Sequence, residues 1–196
     1  MRLYPLFLWL ARIMAILGGL VLTILVLLTV VSVTGRALNG LLHLGWVEAL
    51  AGPLAQRLLD AGLGPITGDF ELVEAGIAFT IFAFLPLAQI SGAHATVDIF
   101  TSALPEGINR ALIAFWEVVF AAVLIVIAWR LYEGMQGKMR YNETTFLLQF
   151  PVWWAFAASF AAACVAGTVS TYTALARIVE LVSGRVLLPS QEGAEH

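Results

Sequence analysis

The fold is decided by residues 13–35, IMAILGGLVLTILVLLTVVSVTG, a run without a single charged side chain. A helix of about 20 apolar residues spans the hydrocarbon core of a bilayer, so this run is long enough to cross it. The apolar core of a secretory signal peptide has only about 7–15 residues and precedes a small-residue cleavage site, which is not found here. The run predicts a first transmembrane helix over residues 6–34, with Arg12 low enough to snorkel to the membrane surface.

The composition of the whole chain is typical of a membrane protein. Of its 196 residues, 61% are hydrophobic and 12% are charged, and the mean hydropathy is +0.93. A soluble domain carries about twice that charged fraction. The length predicts a single membrane domain over residues 1–196, with membrane lipids as its surroundings. The net charge of −3 and the lack of a basic cluster argue against a nucleic-acid partner.

Apolar runs predict three further transmembrane helices, at residues 69–90, 111–130 and 151–176. The second span begins with Glu71 and Glu74, close to the helix end where the macrodipole favours anions. The sequence therefore predicts an all-α integral membrane protein with four transmembrane helices.

The fourth span has two features that suggest how it sits in the membrane. Trp153 and Trp154 at its start are typical of an interfacial aromatic anchor. Small residues that recur every four positions predict close packing against another helix, because packing rather than hydrophobicity drives association in lipid. This seam consists of Ala158, Ala162, Ala166 and Ser170, and a neighbouring seam consists of Ser159, Ala163, Gly167 and Thr171. The alternative is that an alanine-rich helix is simply a good helix former.

Two connections are interpreted as short amphipathic surface helices. Residues 46–61 place leucines on one stripe and charges off it, which predicts an interfacial segment. Pro53 lies within this segment and predicts a break or a helix start. The polar residues 91–110 predict a surface connector that ends near Pro105.

Charge counting does not orient the four spans. An even number of spans places both termini and the central connector on one side. Positive residues are expected in excess on the cytoplasmic side. The first side would carry Arg2, Arg12, Arg110, Arg177 and Arg185, and the other side Arg36, Arg57, Arg130, Lys138 and Arg140.

The acids Glu71 and Glu74 are the first candidate functional pair. We expect an ion pair with Arg36, which ends the first span on the same membrane side, and Arg130 is a second candidate partner. Two alternatives remain open. The acids could contact a coupling ion or substrate, since an intramembrane acid is by default a functional hypothesis, or they could only complement the helix dipole.

Glu117 is the one charged residue within the third span. It could snorkel to the interface. It could also pair with a basic residue of a partner protein, because no Lys or Arg lies in the middle of any other span.

His94 and Asp98 are four residues apart and would share a helix face. The other histidines, His43 and His196, form no cluster with them in the sequence. We therefore expect a structural contact between His94 and Asp98 and no metal site. The spans also lack the histidines that would ligate haem in a membrane anchor, so no cofactor is expected.

No Ser/His/Asp or Cys/His set and no phosphate-binding loop is present in the sequence, so we expect no enzyme and no catalytic residue. A complete transporter often has internal repeats around a polar midplane site. The two halves show no repeat, and the spans are almost free of polar midplane residues. The sequence favours a scaffold or accessory subunit.

Two short motifs carry a family resemblance. They are GDFELVE at residues 68–74 and HATVDIFTSALP at residues 94–105. With Arg36 ending the first span and Pro151 leading into the fourth, the chain resembles the small membrane subunit (DctQ-type) of tripartite ATP-independent periplasmic, or TRAP, transporters. It departs from that family's pattern in the insertion at residues 37–67 and in the acidic motif, where no basic residue follows the two acids.

The resemblance implies a multi-pass protein of the bacterial inner membrane, with both termini and the connector in the cytoplasm. It implies a large multi-span permease subunit as partner, which carries the substrate and sodium sites. It also implies a periplasmic substrate-binding protein that delivers an organic anion such as a carboxylate, and import driven by an ion gradient. The small subunit would scaffold the large one. The alternatives are the membrane anchor of a redox enzyme complex and a stand-alone small transporter.

Overall fold

The computed structural model describes residues 3–92, 105–184 and 187–188. The described residues form five helices. These are α1 (Tyr4–Leu42), α2 (Gly45–Asp60), α3 (Asp69–Ile90), α4 (Glu106–Arg140) and α5 (Trp153–Ser183). All except α2 are long and apolar enough to cross a membrane. The predicted all-α fold with four membrane-spanning helices is thus confirmed.

Two helices, α1 and α4, extend well beyond the apolar runs that predicted them. α1 continues two turns past the predicted residue 34, and α4 runs for 35 residues where about 20 were expected. Neither extension contains a proline, and charged residues on an exposed helix are compatible with helical backbone. The first residues of α4 also correct the surface connector, because residues 106–110 belong to this long helix. Pro105 immediately precedes α4.

The four long helices form an open row in the order α1, α3, α5, α4, and α1 also touches α5 where Phe7 stacks on Tyr172. α4 packs along α5, α5 packs along α3, and α3 packs along α1, while the backbone of α4 makes no extensive contact with α1 or α3. α5 is the most buried of the four. Its small residues Ala162, Ala163 and Ala166 are completely buried. They let the neighbouring helices approach closely, as the small-residue seam predicted; Ala158, at the start of that seam, is exposed.

α2 is a surface helix that packs against α1. It continues without interruption through Pro53, so the predicted break is wrong. A proline removes one backbone donor, and the acceptor that it leaves free lies on the exposed Ala49. Leu50 is 81% exposed and Trp46 is 64% exposed, so the apolar stripe of α2 is not covered by the described part of the chain.

Candidate functional site

Several polar and charged groups meet where α3 and α5 begin, and the connection between α4 and α5 holds this end of the row together. Asn142 and Gln149 adopt positive φ angles of 48° and 57°. The backbone N–H of Thr145 donates to the carbonyl of Phe150 at 3.0 Å, and that of Val152 donates to the carbonyl of Glu143 at 2.9 Å. These bonds fold residues 141–152 into a tight turn that returns the chain to the start of α5.

Asp69 joins α3 to α1 at this end. Its Oδ2 accepts a hydrogen bond from Ser32 Oγ at 2.5 Å and lies 3.4 Å from Arg36 Nη2. The Arg36 guanidinium also lies 5.4 Å from the centre of the Phe70 ring, within the range of a cation–π contact. Ser32 Oγ in turn accepts from the backbone N–H of Ile66 at 3.2 Å. The cluster ties α1, the α2–α3 connection and α3 together.

The predicted ion pair of Arg36 with Glu71 or Glu74 is therefore wrong, since Arg36 pairs with Asp69. The reason is helix phase. Two residues along a helix turn the side chain by about 200°, so Asp69 faces α1 while Glu71 points away from it. Arg130 is not the partner either, because it pairs with Glu133 at 2.6 Å.

Glu71 holds the α4–α5 connection instead. Its Oε1 accepts from the backbone N–H of Leu147 at 2.6 Å, and its Oε2 accepts from that of Leu148 at 2.9 Å. Gly68 lies directly below, with φ of 79°, and a Cβ built there would be 2.4 Å from Leu148 Cγ. The Glu71 carboxylate thus binds the α4–α5 connection, and Leu148 of this connection packs where Gly68 has no side chain.

Replacing Glu71 with alanine is expected to release this connection. Charge-assisted hydrogen bonds to backbone N–H groups are stronger than neutral ones. Their loss should speed chymotrypsin cleavage near Phe146, which is 86% exposed, by roughly tenfold. Glu71→Gln keeps one acceptor oxygen and should fall between the two. Glu133→Ala is the matched control, and equal cleavage of all four proteins would contradict the contact.

Replacing Gly68 with alanine should reduce stability in two ways, through the positive φ angle and through a steric clash. A comparison with Gly62 separates these two effects. Both Gly68 and Gly62 have positive φ, but a Cβ at Gly62 meets nothing within 4 Å. Gly62→Ala should lose only the left-handed backbone preference, about 1–2 kcal/mol. Gly68→Ala should lose about 1–3 kcal/mol more through the clash with Leu148. Denaturant unfolding in mixed micelles measures the difference. Equal losses would show that Leu148 does not rest on Gly68.

A second polar cluster lies inside the row and joins side chains of α3, α4 and α5. Gln89 Nε2 of α3 donates to Glu117 Oε2 of α4. Thr173 Oγ1 of α5 donates to the same oxygen at 3.3 Å. All three side chains are buried, with Glu117 only 7% exposed. Glu117 is therefore neither snorkelling nor available to a partner protein, and both sequence interpretations are wrong.

The remaining predicted residues are placed as follows. Trp153 and Trp154 open α5 in an edge-to-face contact with ring centres 6.3 Å apart, and Trp154 is 55% exposed. His94 and Asp98 lie outside the described residues. Within residues 3–92, 105–184 and 187–188, no three His, Cys, Asp or Glu side chains are grouped as metal ligands would be.

Comparison with known proteins identifies the family. The model of the family described as "Tripartite ATP-independent periplasmic transporters, DctQ component" matches residues 25–184. No curated protein and no solved structure matches the chain. The matched segment contains α3, α4 and α5 in full, together with the Asp69 and Glu117 clusters. The chain therefore belongs to the DctQ family, the small membrane component of TRAP transporters.

Proposed function

We propose that this chain is an accessory subunit that scaffolds the large multi-span permease subunit of its transporter. The open row of helices is the observation that supports this role most strongly. It leaves long apolar faces on α1 and α4 that no described residue covers. The polar groups within the spans, at Asp69 and Glu117, bond to residues of the same chain. They therefore hold the row together rather than line a substrate path.

In this proposal the large subunit carries the substrate and ion sites. A periplasmic substrate-binding protein delivers an organic anion such as a carboxylate, and a gradient of Na⁺ drives import. The small subunit performs no catalysis and holds no cofactor or metal. Its contribution is to extend and anchor the part of the permease that stays fixed.

Uptake in cells tests the proposal. Deleting this chain while the large subunit and the binding protein are kept should abolish Na⁺-dependent uptake of the organic anion, and supplying the chain in trans should restore it. Affinity purification of the chain should recover the large subunit. Unchanged uptake without the chain, or recovery of no large membrane protein, would contradict the proposal.

The same preparation distinguishes the two alternatives. A redox anchor would show a haem absorption band in the visible spectrum of the purified protein. A stand-alone transporter would take up substrate when this chain alone is reconstituted in proteoliposomes. We expect neither result.

We also propose that the protein lies in the bacterial inner membrane with both termini in the cytoplasm. The α4–α5 connection would then face the periplasm. Tyr141 is 73% exposed and Cys164 is the single cysteine. Tyr141→Cys in a Cys164→Ala background should react with a membrane-impermeant thiol reagent in intact cells. Labelling only after the cells are opened would reverse the orientation.

A further inference from the structure

A partly enclosed groove of about 380 Å³ lies at the end of the row where α3 and α5 begin. Ala78 of α3 and Leu131 of α4 form its sides, and Phe156 and Ser159 of α5 form its floor. The α4–α5 connection closes one end with Phe146. The groove exists because α3 and α4 both pack on α5 while their backbones make no extensive contact with each other.

The floor of the groove presents a buried hydroxyl without a partner. Ser159 is 2% exposed, and its Oγ makes no hydrogen bond with the described residues. Several other hydroxyls on the spans donate to the carbonyl one turn earlier, as Thr80 does to Gly76 at 3.0 Å. Ser170 Oγ of α5 is also buried without a partner, but Ser170 does not line the groove. A buried hydroxyl is normally bonded, so Ser159 indicates that the groove receives a polar group.

Two carboxylates line the same groove. Both oxygens of Glu71 already accept hydrogen bonds from the α4–α5 connection. Glu74 is exposed, and it forms no ion pair within the part of the chain that the structure describes. Two cations at this end of the row are engaged elsewhere, Arg36 with Asp69 and Lys138 with Glu143. The groove therefore carries negative charge that no described residue balances with an ion pair.

The walls select among possible cations. Alanine, leucine and phenylalanine side chains suit an aliphatic stem, and the rings of Phe146 and Phe156 can face a cationic head. A metal ion would need about six oxygen ligands, which such walls do not supply. The phosphate of a zwitterionic lipid would meet two carboxylates and no lining cation. A long side chain with one positive charge fits best.

We propose that this groove receives a Lys or Arg side chain of the large permease subunit. Its charged head pairs with Glu74 and donates a hydrogen bond to Ser159 Oγ, while its stem lies along the apolar walls. This inference rests on the proposed function, because it assumes that the large subunit binds this chain. It adds the position of a charged contact to an interface that is otherwise apolar.

Co-purification of the large subunit with tagged chain tests the contact. Glu74→Lys should reduce the recovered large subunit by about tenfold or more, because like charges meet where a pair was formed. Glu74→Gln and Ser159→Ala should each reduce it by a smaller factor. Glu133→Gln on α4 is the matched control and should leave recovery unchanged. An unchanged thermal midpoint of each variant alone shows that the row remains folded.

The outcomes separate this inference from the proposed function. If the unaltered chain recovers no large subunit, both fail. If the unaltered chain and all variants recover it equally, only the groove contact fails. Restoration of the Glu74→Lys complex by a Lys→Glu or Arg→Glu substitution in the large subunit would identify the partner residue. Native mass spectrometry that finds an aminophospholipid on the chain, lost in Glu74→Gln, would assign the groove to lipid and overturn the proposal.

Discussion

Gly35→Ala is expected to destabilise the protein by about 1–3 kcal/mol, the usual cost of overpacking. A Cβ at Gly35 would lie 2.1 Å from the carbonyl oxygen of Gly64 and 2.8 Å from its carbon. Both are backbone atoms, so no rotamer change can relieve the clash. The α2–α3 connection would have to move away from α1, which would also strain the bonds from Ile66 to Ser32 and from Asn39 to Leu63.

Gly40→Ala is the control for this prediction. It lies on the same helix, and its Cβ would meet nothing within 4 Å. Alanine is the better helix former by about 1 kcal/mol, so this substitution should be neutral or stabilising. Gly35→Ala should therefore lower the unfolding midpoint, whereas Gly40→Ala should leave it unchanged or raise it. A stabilised Gly35→Ala protein would show that the connection does not touch α1.

Glu117→Leu is expected to cost about 1–3 kcal/mol, because it leaves buried donors without their acceptor. Gln89 and Thr173 both donate to one oxygen of Glu117, and the three residues join α3, α4 and α5. The loss should appear in equilibrium unfolding in mixed micelles. The single hydroxyl hydrogen of Thr173 can instead be donated to the carbonyl of Ser170 at 2.9 Å, so its share of the loss should be the smaller one.

The Glu117→Gln variant separates the effect of losing a hydrogen-bond acceptor from the effect of losing a negative charge. It retains a carbonyl oxygen for Gln89 and should cost less than about 1 kcal/mol if acceptance alone matters. Glu133→Leu removes an exposed carboxylate from the same helix and should stay within about 0.5 kcal/mol of the unaltered protein. A Gln variant as unstable as the Leu variant would show that the cluster requires the negative charge.

The membrane-spanning helices could be predicted from the sequence because each depends on a long local run. The uncharged residues 13–35 suffice for α1, and no distant contact is needed to identify them. The first and last residues of the helices could not be predicted in the same way. The ends of α1 and α4 carry charged residues outside the apolar core, and hydropathy alone does not distinguish an exposed helix from a loop there.

The partners of the acids depend on where each residue falls around its helix. Asp69 and Glu71 are two positions apart, yet one faces α1 and the other faces the α4–α5 connection. Two acids this close together at a helix start do not reveal in the sequence that their side chains face different neighbours. Counting back from the apolar face of α3 could have separated them, but α3 is apolar on nearly all sides.

The sequence contains a weak signal for the Glu117 cluster. Gln89 and Thr173 are polar residues in otherwise apolar spans, and polar side chains in lipid usually bond across helices. Their joint presence pointed to an internal partner for Glu117. The groove beside Ser159 had no comparable signal, because it arises where α3 and α4 both pack on α5 but have no extensive backbone contact with each other.

The open row also has a consequence for handling the protein outside a membrane. A closed four-helix bundle hides one side of every helix, whereas a row leaves two broad apolar sides to be covered by amphiphile. Extracted alone, the chain should hold a detergent belt that is heavy for its 21.2 kDa, and it should behave in solution as an elongated particle. When the chain binds its partner, it should lose much of the bound detergent, and from one side only.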